Sequence, residues 1–292
     1  MRLGIIGAGR VGASFVLAFP QDVCGIVCST SEHTQQMAQR LHVPAYPNGA
    51  ALAANADVVL LTVQDDALAG VAQQLAAGLA KTAPRTACFF HCSGAQDLSP
   101  LRPLQELGYS IGSIHPLQSF AAPDAANLHG IYMAVDGDEG AKKTAVSLVQ
   151  ALGSIPFFVP EKERMLYHAA ACFCSNYVVT AVATAQQLMA RWTATEEDAA
   201  KALWPLVAGT MKNLHAQKTF RQALTGPISR GDSGTVEKHL SCLPESVKPL
   251  YAALGLQTAN LAAANGTITE KTHADLKRIL AMAEGDYQWQ KK

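Results

Sequence analysis

The sequence predicts an α/β fold: a doubly wound sheet over residues 1–160, followed by an all-helical domain over residues 161–292. Three observations carry this expectation. Short apolar runs alternate with helix-period segments as far as Pro160, the pattern of a parallel sheet with crossover helices. Beyond Pro160 no stretch reads as a strand. The chain also opens on an apolar run, Leu3 to Ile6, that leads directly into a glycine-rich turn, Gly7-Ala8-Gly9-Arg10-Val11-Gly12.

Taken in order, Leu3 to Ile6 is the first buried strand and Val11 to Phe19 the helix behind the turn. Val23 to Cys28 is the second strand, and residues 31–41 are a helix with Ser31 as its N-cap. Asp57 to Val63 is a third strand, with a helix from about Asp66 to Leu79. Thr86 to His91 and Ser110 to Ile114 add two strands. Ile131 to Val135 and Ile155 to Val159 complete the set at one edge, separated by a helix from about Glu139 to Leu152. In the second half one helix runs from about Glu161 toward Trp192. Thr195 and the acidic residues after it start the next. Further helices cover roughly 235–243, 245–264 and 270–284.

Composition narrows the function classes. Of 292 residues 49% are hydrophobic and 16% charged, as in a packed globular chain. Lys+Arg and Asp+Glu both total 23, so no net field favours nucleic acid or a membrane surface. A strand starting near residue 2 leaves no room for a signal peptide. The Ala-rich stretch 168–190 is interrupted by His, Ser, Asn, Thr and Gln, and no membrane span is expected. Cys24 and Cys28, like Cys88 and Cys92, are four residues apart on one strand, roughly 13 Å. That is too far for a disulfide or a shared metal. Reduced thiols, a cytoplasmic location and no metal site are expected.

The glycine turn has the context of a dinucleotide fingerprint, strand before and helix after, so the sheet is Rossmann-type. Gly7 permits the tight turn, Gly9 lets the backbone approach a pyrophosphate, and Gly12 lets helix and strand pack closely. Arg10 and Val11 open the helix whose free N–H groups hold the phosphates. Thr62 and Val63, at the end of the third strand, flank the same place. An NAD-preferring site places an acid at the end of the second strand. Here that end reads Cys28-Ser29-Thr30-Ser31. Hydroxyls and a helix start suit a 2′-phosphate, and Arg10 adds a positive charge, so NADP is favoured over NAD. The same hydroxyls also suit simple helix capping.

Ligands of such sheets sit beyond the carboxyl ends of the strands. Those ends carry His91-Cys92-Ser93-Gly94 and His115-Pro116-Leu117-Gln118. The first helix of the second half bears a polar stripe of His168, Cys172, Ser175 and Asn176. It reads either as helix-to-helix hydrogen bonding or as a wall of a substrate pocket. A loop, Leu224 to Thr235, holds Arg230 and Asp232 among three glycines and a proline. Arg230 either grips a substrate carboxylate or pairs with Asp232, with Thr235 capping the helix that follows.

These segments together resemble a family of Rossmann-like proteins with a helical C-terminal domain of unknown function, described as NADP oxidoreductases of the 6-phosphogluconate dehydrogenase-like superfamily. The resemblance rests on residues 7–12, His-Cys-Ser-Gly-Ala (91–95), Ser-Ile-His-Pro-Leu-Gln-Ser-Phe (113–120), Tyr-His-Ala-Ala-Ala (167–171), Ser-Asn (175–176) and Leu-Thr-Gly-Pro-Ile-Ser-Arg-Gly-Asp (224–232). It implies a fold and a cofactor class, and no substrate. Ketopantoate reductases and β-hydroxyacid dehydrogenases place a catalytic lysine three or four residues before an asparagine. Asn176 matches, but positions 172 and 173 are Cys and Phe. Prephenate dehydrogenases are similar at His115-Pro116 only.

The expectation is an NADP-dependent oxidoreductase moving a hydride to or from a small, carboxylate-bearing carbonyl or alcohol substrate at the domain seam. His168 is the first choice for the proton, with His115 and His91 as competitors. Ser93, Ser175 and Asn176 orient the substrate, Ser93 also lying toward the cofactor, and Arg230 binds the acid group. The missing lysine supports an alternative, a non-catalytic NADP(H)-binding sensor or interaction module. An imine reductase fits the same fold. A homodimer is expected through apolar helices such as 245–264.

Overall fold

The computed structural model describes residues 1–81 and 87–285. Thr86, expected to open a strand, and residues 286–292 lie outside the described residues. The chain divides into two compact units, residues 1–177 and the part from Val178 on. The strands end near residue 160, but the first unit takes in the helix that follows.

In the first unit β1 (Leu3–Ile6), α1 (Arg10–Ala18), β2 (Val23–Val27), α2 (Ser31–Leu41), α3 (Gly49–Ala53), β3 (Val58–Leu61) and α4 (Asp65–Leu79) follow in turn. Then come β4 (Cys88–His91), α5 (Arg102–Glu106), β5 (Ser110–Pro116), β6 (Tyr132–Gly137), α6 (Glu139–Ala151), β7 (Ile155–Phe158) and α7 (Arg164–Cys174). The sheet order is β2-β1-β3-β4-β5-β6-β7. The strands are parallel except at β5–β6, which is antiparallel. The chain leaves β1 toward β2 on one side and returns to β3 on the other, so a crevice opens beyond the carboxyl ends of β1 and β3.

Both faces of β1 and β3 are covered, which is why these strands are continuously apolar, whereas Tyr132, Ile155 and Phe158 at the β6–β7 edge are exposed. Phe90 belongs to the core layer with Phe15 and Leu148. Its neighbour Phe89 belongs to the opposite layer with Leu52, Leu68 and Tyr109, as a two-residue side-chain period requires. The helices supply matching stripes. In α4, Leu68, Ala72, Leu75, Ala76 and Leu79 are buried, at three- and four-residue steps.

Two local expectations are corrected. The cap of α2 is Thr30 rather than Ser31, since the Thr30 hydroxyl accepts from the His33 N–H at 3.1 Å. The helix expected from Glu161 to Trp192 is interrupted: α7 ends at Cys174, and Ser175 leaves the helical region with φ −123° and ψ −79°. A 100° step per residue therefore does not carry across Ser175.

The rest of the chain is helical: α8 (Asn176–Met189), α9 (Glu196–Ala216), α10 (Ser233–Cys242), α11 (Lys248–Ala264) and α12 (Glu270–Gly285). Thr195 caps α9, accepting from the Asp198 N–H at 3.1 Å. The cap of α10 is Asp232 rather than Thr235; its carboxylate accepts from both the backbone and the hydroxyl of Thr235. Ile228, Val236, Ala259, Leu276 and Leu280 form a small core of α10, α11 and α12. Leu280 packs so closely on Gly255 that a Cβ there would lie 2.7 Å from it. The helix expected at 245–264 is thus engaged within its own unit. By contrast α8 has no buried residue and α9 only Ala199, leaving Val179, Trp204 and Leu206 about two-thirds exposed.

The stretch Glu161–Trp192 is long and apolar enough, by length and composition, to cross a membrane, against the expectation from its polar interruptions. All seven cysteines are free thiols. Burial pushes the Cys92 thiol up to about 12, whereas Cys174 and Cys242 are exposed.

Candidate active site

The crevice beyond β1 and β3 is a cavity of about 950 Å³ lined by Gly7, Gly9, Ser29, His33, Thr62 and Val63 among others. Gly7 has φ +96°, and a Cβ on it would press on Val63 and on the Thr62 backbone at 2.9–3.0 Å. A Cβ on Gly12 would collide with the Gly7 carbonyl oxygen and the Thr62 hydroxyl. Gly9 is different: a Cβ there would meet nothing within 4 Å. Gly9 is also the N-cap of α1 and provides no side-chain cap, so the first N–H groups of the helix are left for a ligand. Tight glycines behind, an open one in front and uncapped donors between them fit a dinucleotide pyrophosphate.

The other residues expected here divide by position. Val11 packs against the core. The Arg10 guanidinium lies 3.4 Å from the Phe120 carbonyl, and the Thr30 hydroxyl is engaged in its cap. Ser31 is exposed in the first turn of α2. His33, not anticipated from sequence, lines the cavity beside Ser29.

A second cluster lies at the carboxyl ends of β4 and β5. His91 and Ser113 are partners across these strands. His115 is two residues beyond Ser113, hence on the same face of β5. The Ser93 hydroxyl donates to Asp65 at 2.8 Å and accepts from the Ala95 and Gln96 N–H groups. This ties the β4 end to the start of α4. From α7, Arg164, Tyr167 and His168 enter the cluster, at the i, i+3, i+4 spacing that sets side chains on one helix face. Arg164 is only 1% exposed and donates to the Ser113 hydroxyl and the Ser93 carbonyl, both at 2.7 Å. His115 Nδ1 and the Tyr167 hydroxyl are 2.6 Å apart.

Gly94 sits in the middle, packed against both rings. A Cβ built there would lie 2.7 Å from His168 Nδ1 and 2.8 Å from His115 Nε2. The rings of His115 and His168 meet edge to face at 6.1 Å, and His168 Nε2 is 3.9 Å from the Cys172 thiol. Burial, helped by the Arg164 charge, pushes His91 down to about 3. Burial, then His168 and Arg164, pushes His115 down to about 4. Burial raises Tyr167 to about 12. At neutral pH His91 and His115 are therefore uncharged and Tyr167 keeps its proton.

The three expected histidines thus converge with Ser93. Ser175 and Asn176 stand apart at the junction of α7 and α8, where the Ser175 hydroxyl lies 2.9 Å from the Ala171 carbonyl and 2.8 Å from Asn176 Oδ1. Arg230 belongs to the second unit, exposed at the end of a 3-10 turn, Ile228–Arg230. No ion pair joins it to Asp232 among the described residues, although its charge helps hold the Asp232 carboxyl below the usual range after the two Thr235 hydrogen bonds. Sequence reasoning gave no role to Arg164, Tyr167 or Gly94. For Tyr167 a signal was available in its adjacency to His168 on the face of an otherwise apolar helix.

The class of fold and then the particular domain follow from comparison with known proteins. Residues 1–116 match a Rossmann-like domain. Residues 131–258 match DUF2520, a domain of unknown function. No curated protein matches it. Among solved structures, one from Bacteroides fragilis, provisionally named an NADP oxidoreductase, is similar at TM-score 0.68 and 20% identity, covering 88% of this chain and 97% of that one. The Thermotoga maritima protein TM1727 is similar at TM-score 0.66 and 21% identity, covering 90% and 99%. A 1-pyrroline-5-carboxylate reductase from Streptococcus pyogenes is similar at 0.61 and 16%, covering 98% of both chains. At these identities the likeness is one of fold.

Proposed function

We propose that the chain is an oxidoreductase in which NADP(H), held in the glycine-lined cavity, supplies or takes a hydride at a C=O or C=N carbon of a small, carboxylate-bearing substrate. One observation carries this reading. Among the described residues, the buried side-chain polar atoms that meet no partner at full hydrogen-bond geometry are four: both ring nitrogens of His91, whose ring still feels the Asp97 backbone, Arg164 Nε and His168 Nδ1. All four fall in the cluster at the β4 and β5 ends. Unpaired buried polar groups are costly and rare, and strand ends beside a dinucleotide crevice are where catalytic groups belong. His168 holds the proton exchanged with the substrate heteroatom, and neutral His115 orients that atom. The Ser175–Asn176 pair, in the same compact unit, remains a candidate for orienting the substrate. Names borne by structures of this fold, pyrroline-5-carboxylate reductase and reductive aminase, favour testing C=N substrates as well as 2-oxo acids.

The test is NADPH binding by fluorescence, followed by NADPH oxidation over panels of 2-oxo acids and cyclic imines. His168→Asn is expected to lower turnover by about 10²–10⁴-fold with NADPH affinity unchanged. Tight NADPH binding with no turnover on either panel would favour the sensor reading, and no binding would end both.

The second copy of the chain is the partner this reading includes. Burying Val179, Trp204, Leu206, Met211 and Phe220, all exposed, on two copies would remove roughly 1,200 Å² from water, the lower end for a stable interface. A partner that α8 and α9 require must be present whenever the chain is made, and the chain itself meets that condition. A lipid surface is disfavoured, because α9 opens with Glu196, Glu197 and Asp198 rather than the basic flank that anionic lipid attracts.

A further inference from the structure

We infer that Arg164 and Tyr167 are positioning residues that together lock His115 in one neutral form, with its hydrogen on Nε2, on the ring edge that faces Gly94. The inference rests on the oxidoreductase reading for its purpose, but its geometry stands alone. Arg164 starts α7 and is fixed at both ends of its fork, on the Ser113 hydroxyl and the Ser93 carbonyl. Ser113 is the cross-strand partner of His91 and precedes His115 by two residues on the same strand face. The guanidinium is therefore held within about one strand spacing of both rings.

Among the described residues no carboxylate comes within ion-pair distance of this buried cation. Asp136, Tyr167, Asp97 and Glu161 are the groups whose fields reach it. A buried charge so weakly compensated is destabilising, and an apolar side chain of similar size would avoid that cost. What the charge does is repel a second positive charge. His91 faces Arg164, Asp97 and His115, and His115 faces His168 and Arg164. In both, the guanidinium opposes protonation in the same direction as burial.

Tyr167 settles which nitrogen of the neutral ring carries hydrogen. Of the two groups in the 2.6 Å contact, a phenol is the better donor and an imidazole nitrogen the better acceptor. The Tyr167 O–H therefore donates to Nδ1, leaving the ring hydrogen on Nε2. That atom is the one aimed at Gly94. His115 so held presents a fixed N–H and, being neutral, cannot compete with His168 for the proton.

Nitrogen-detected NMR of ¹⁵N-histidine-labelled protein, without any nucleotide, tests this. Wild-type His115 is expected to be the neutral Nε2–H tautomer at pH 6 and to titrate far below it. In Arg164→Gln the midpoints of His115 and His91 are expected to rise by about one pH unit or more. Arg164→Lys, which keeps the charge, should restore low midpoints, which a merely structural role would not require. Tyr167→Phe should mix the His115 tautomers. A wild-type His115 that titrates near the ordinary histidine value, or that carries its hydrogen on Nδ1, overturns the inference whether or not the variants fold. So do unmoved midpoints in a folded Arg164→Gln. Failure of NADPH to bind would remove the proposed reaction and leave these ring states as they are.

Discussion

The Rossmann-like sheet and the α8–α9 pair show opposite ways of treating apolar side chains. In the sheet, Leu3, Ile5, Leu60, Phe89 and Phe90 are all at or near zero exposure between two helix layers. In α8 and α9, residues as large as Trp204 and Leu206 stand open, although both helices are long and well capped or continuous. The difference teaches that local helical signals are enough to shape α8 and α9 but not to cover them. The sheet buries its own apolar surface, whereas the helix pair leaves much of its apolar surface open.

That contrast is open to attack. The largest effect is expected from Trp204→Glu combined with Leu206→Glu, which should convert a dimer into monomer or aggregate by light scattering. Leu107→Glu, at an exposed apolar residue of the sheet unit, should leave the mass unchanged; a monomeric wild type would dissolve the contrast. Next, Phe90→Ala should cost about 3–5 kcal/mol in urea unfolding, irrespective of protein concentration. A concentration-dependent loss would mean the sheet also leans on assembly.

Acid supplies a third, smaller effect. His91 and His115, lowered to about 3 and about 4 when folded, take up protons on unfolding below about pH 6.5. Their contribution is complete above that value. It is lost as pH falls toward the folded values, by up to about 1.4 kcal/mol per pH unit for each ring. Unfolding at pH 7.5 and 4.5 should show this in the sheet unit, and a flat profile would contradict the buried neutral rings. Smallest, Thr195→Ala should cost about 1 kcal/mol at the start of α9, read as a modest fall in Tm.

Much of the fold was legible. Continuous apolar runs marked β1 to β4, and the glycine spacing located the crevice, because strand–turn–helix packing leaves little freedom there. The convergence of His91, His115 and His168 was only half legible: strand ends placed the first two, while the third depends on how α7 returns to the sheet. Arg164 was invisible for a physical reason, since a charged residue at a helix start reads as solvated unless its burial is known. The break at Ser175 also escaped, because Ser and Asn are neutral enough in helices to allow either outcome. The α2 and α10 caps moved by one and three residues for the same kind of reason, with several hydroxyls and carboxylates in competition for each helix start.

The free thiols have a practical corollary. Cys92, raised to about 12 by burial, stays protonated and is a poor nucleophile toward alkylating reagents. Cys174 at the end of α7 and Cys242 at the end of α10 are exposed, one in each compact unit. A pair of spin or fluorescent labels on these two native sulfurs makes the chain its own ruler, reporting the span between its halves as nucleotide is added.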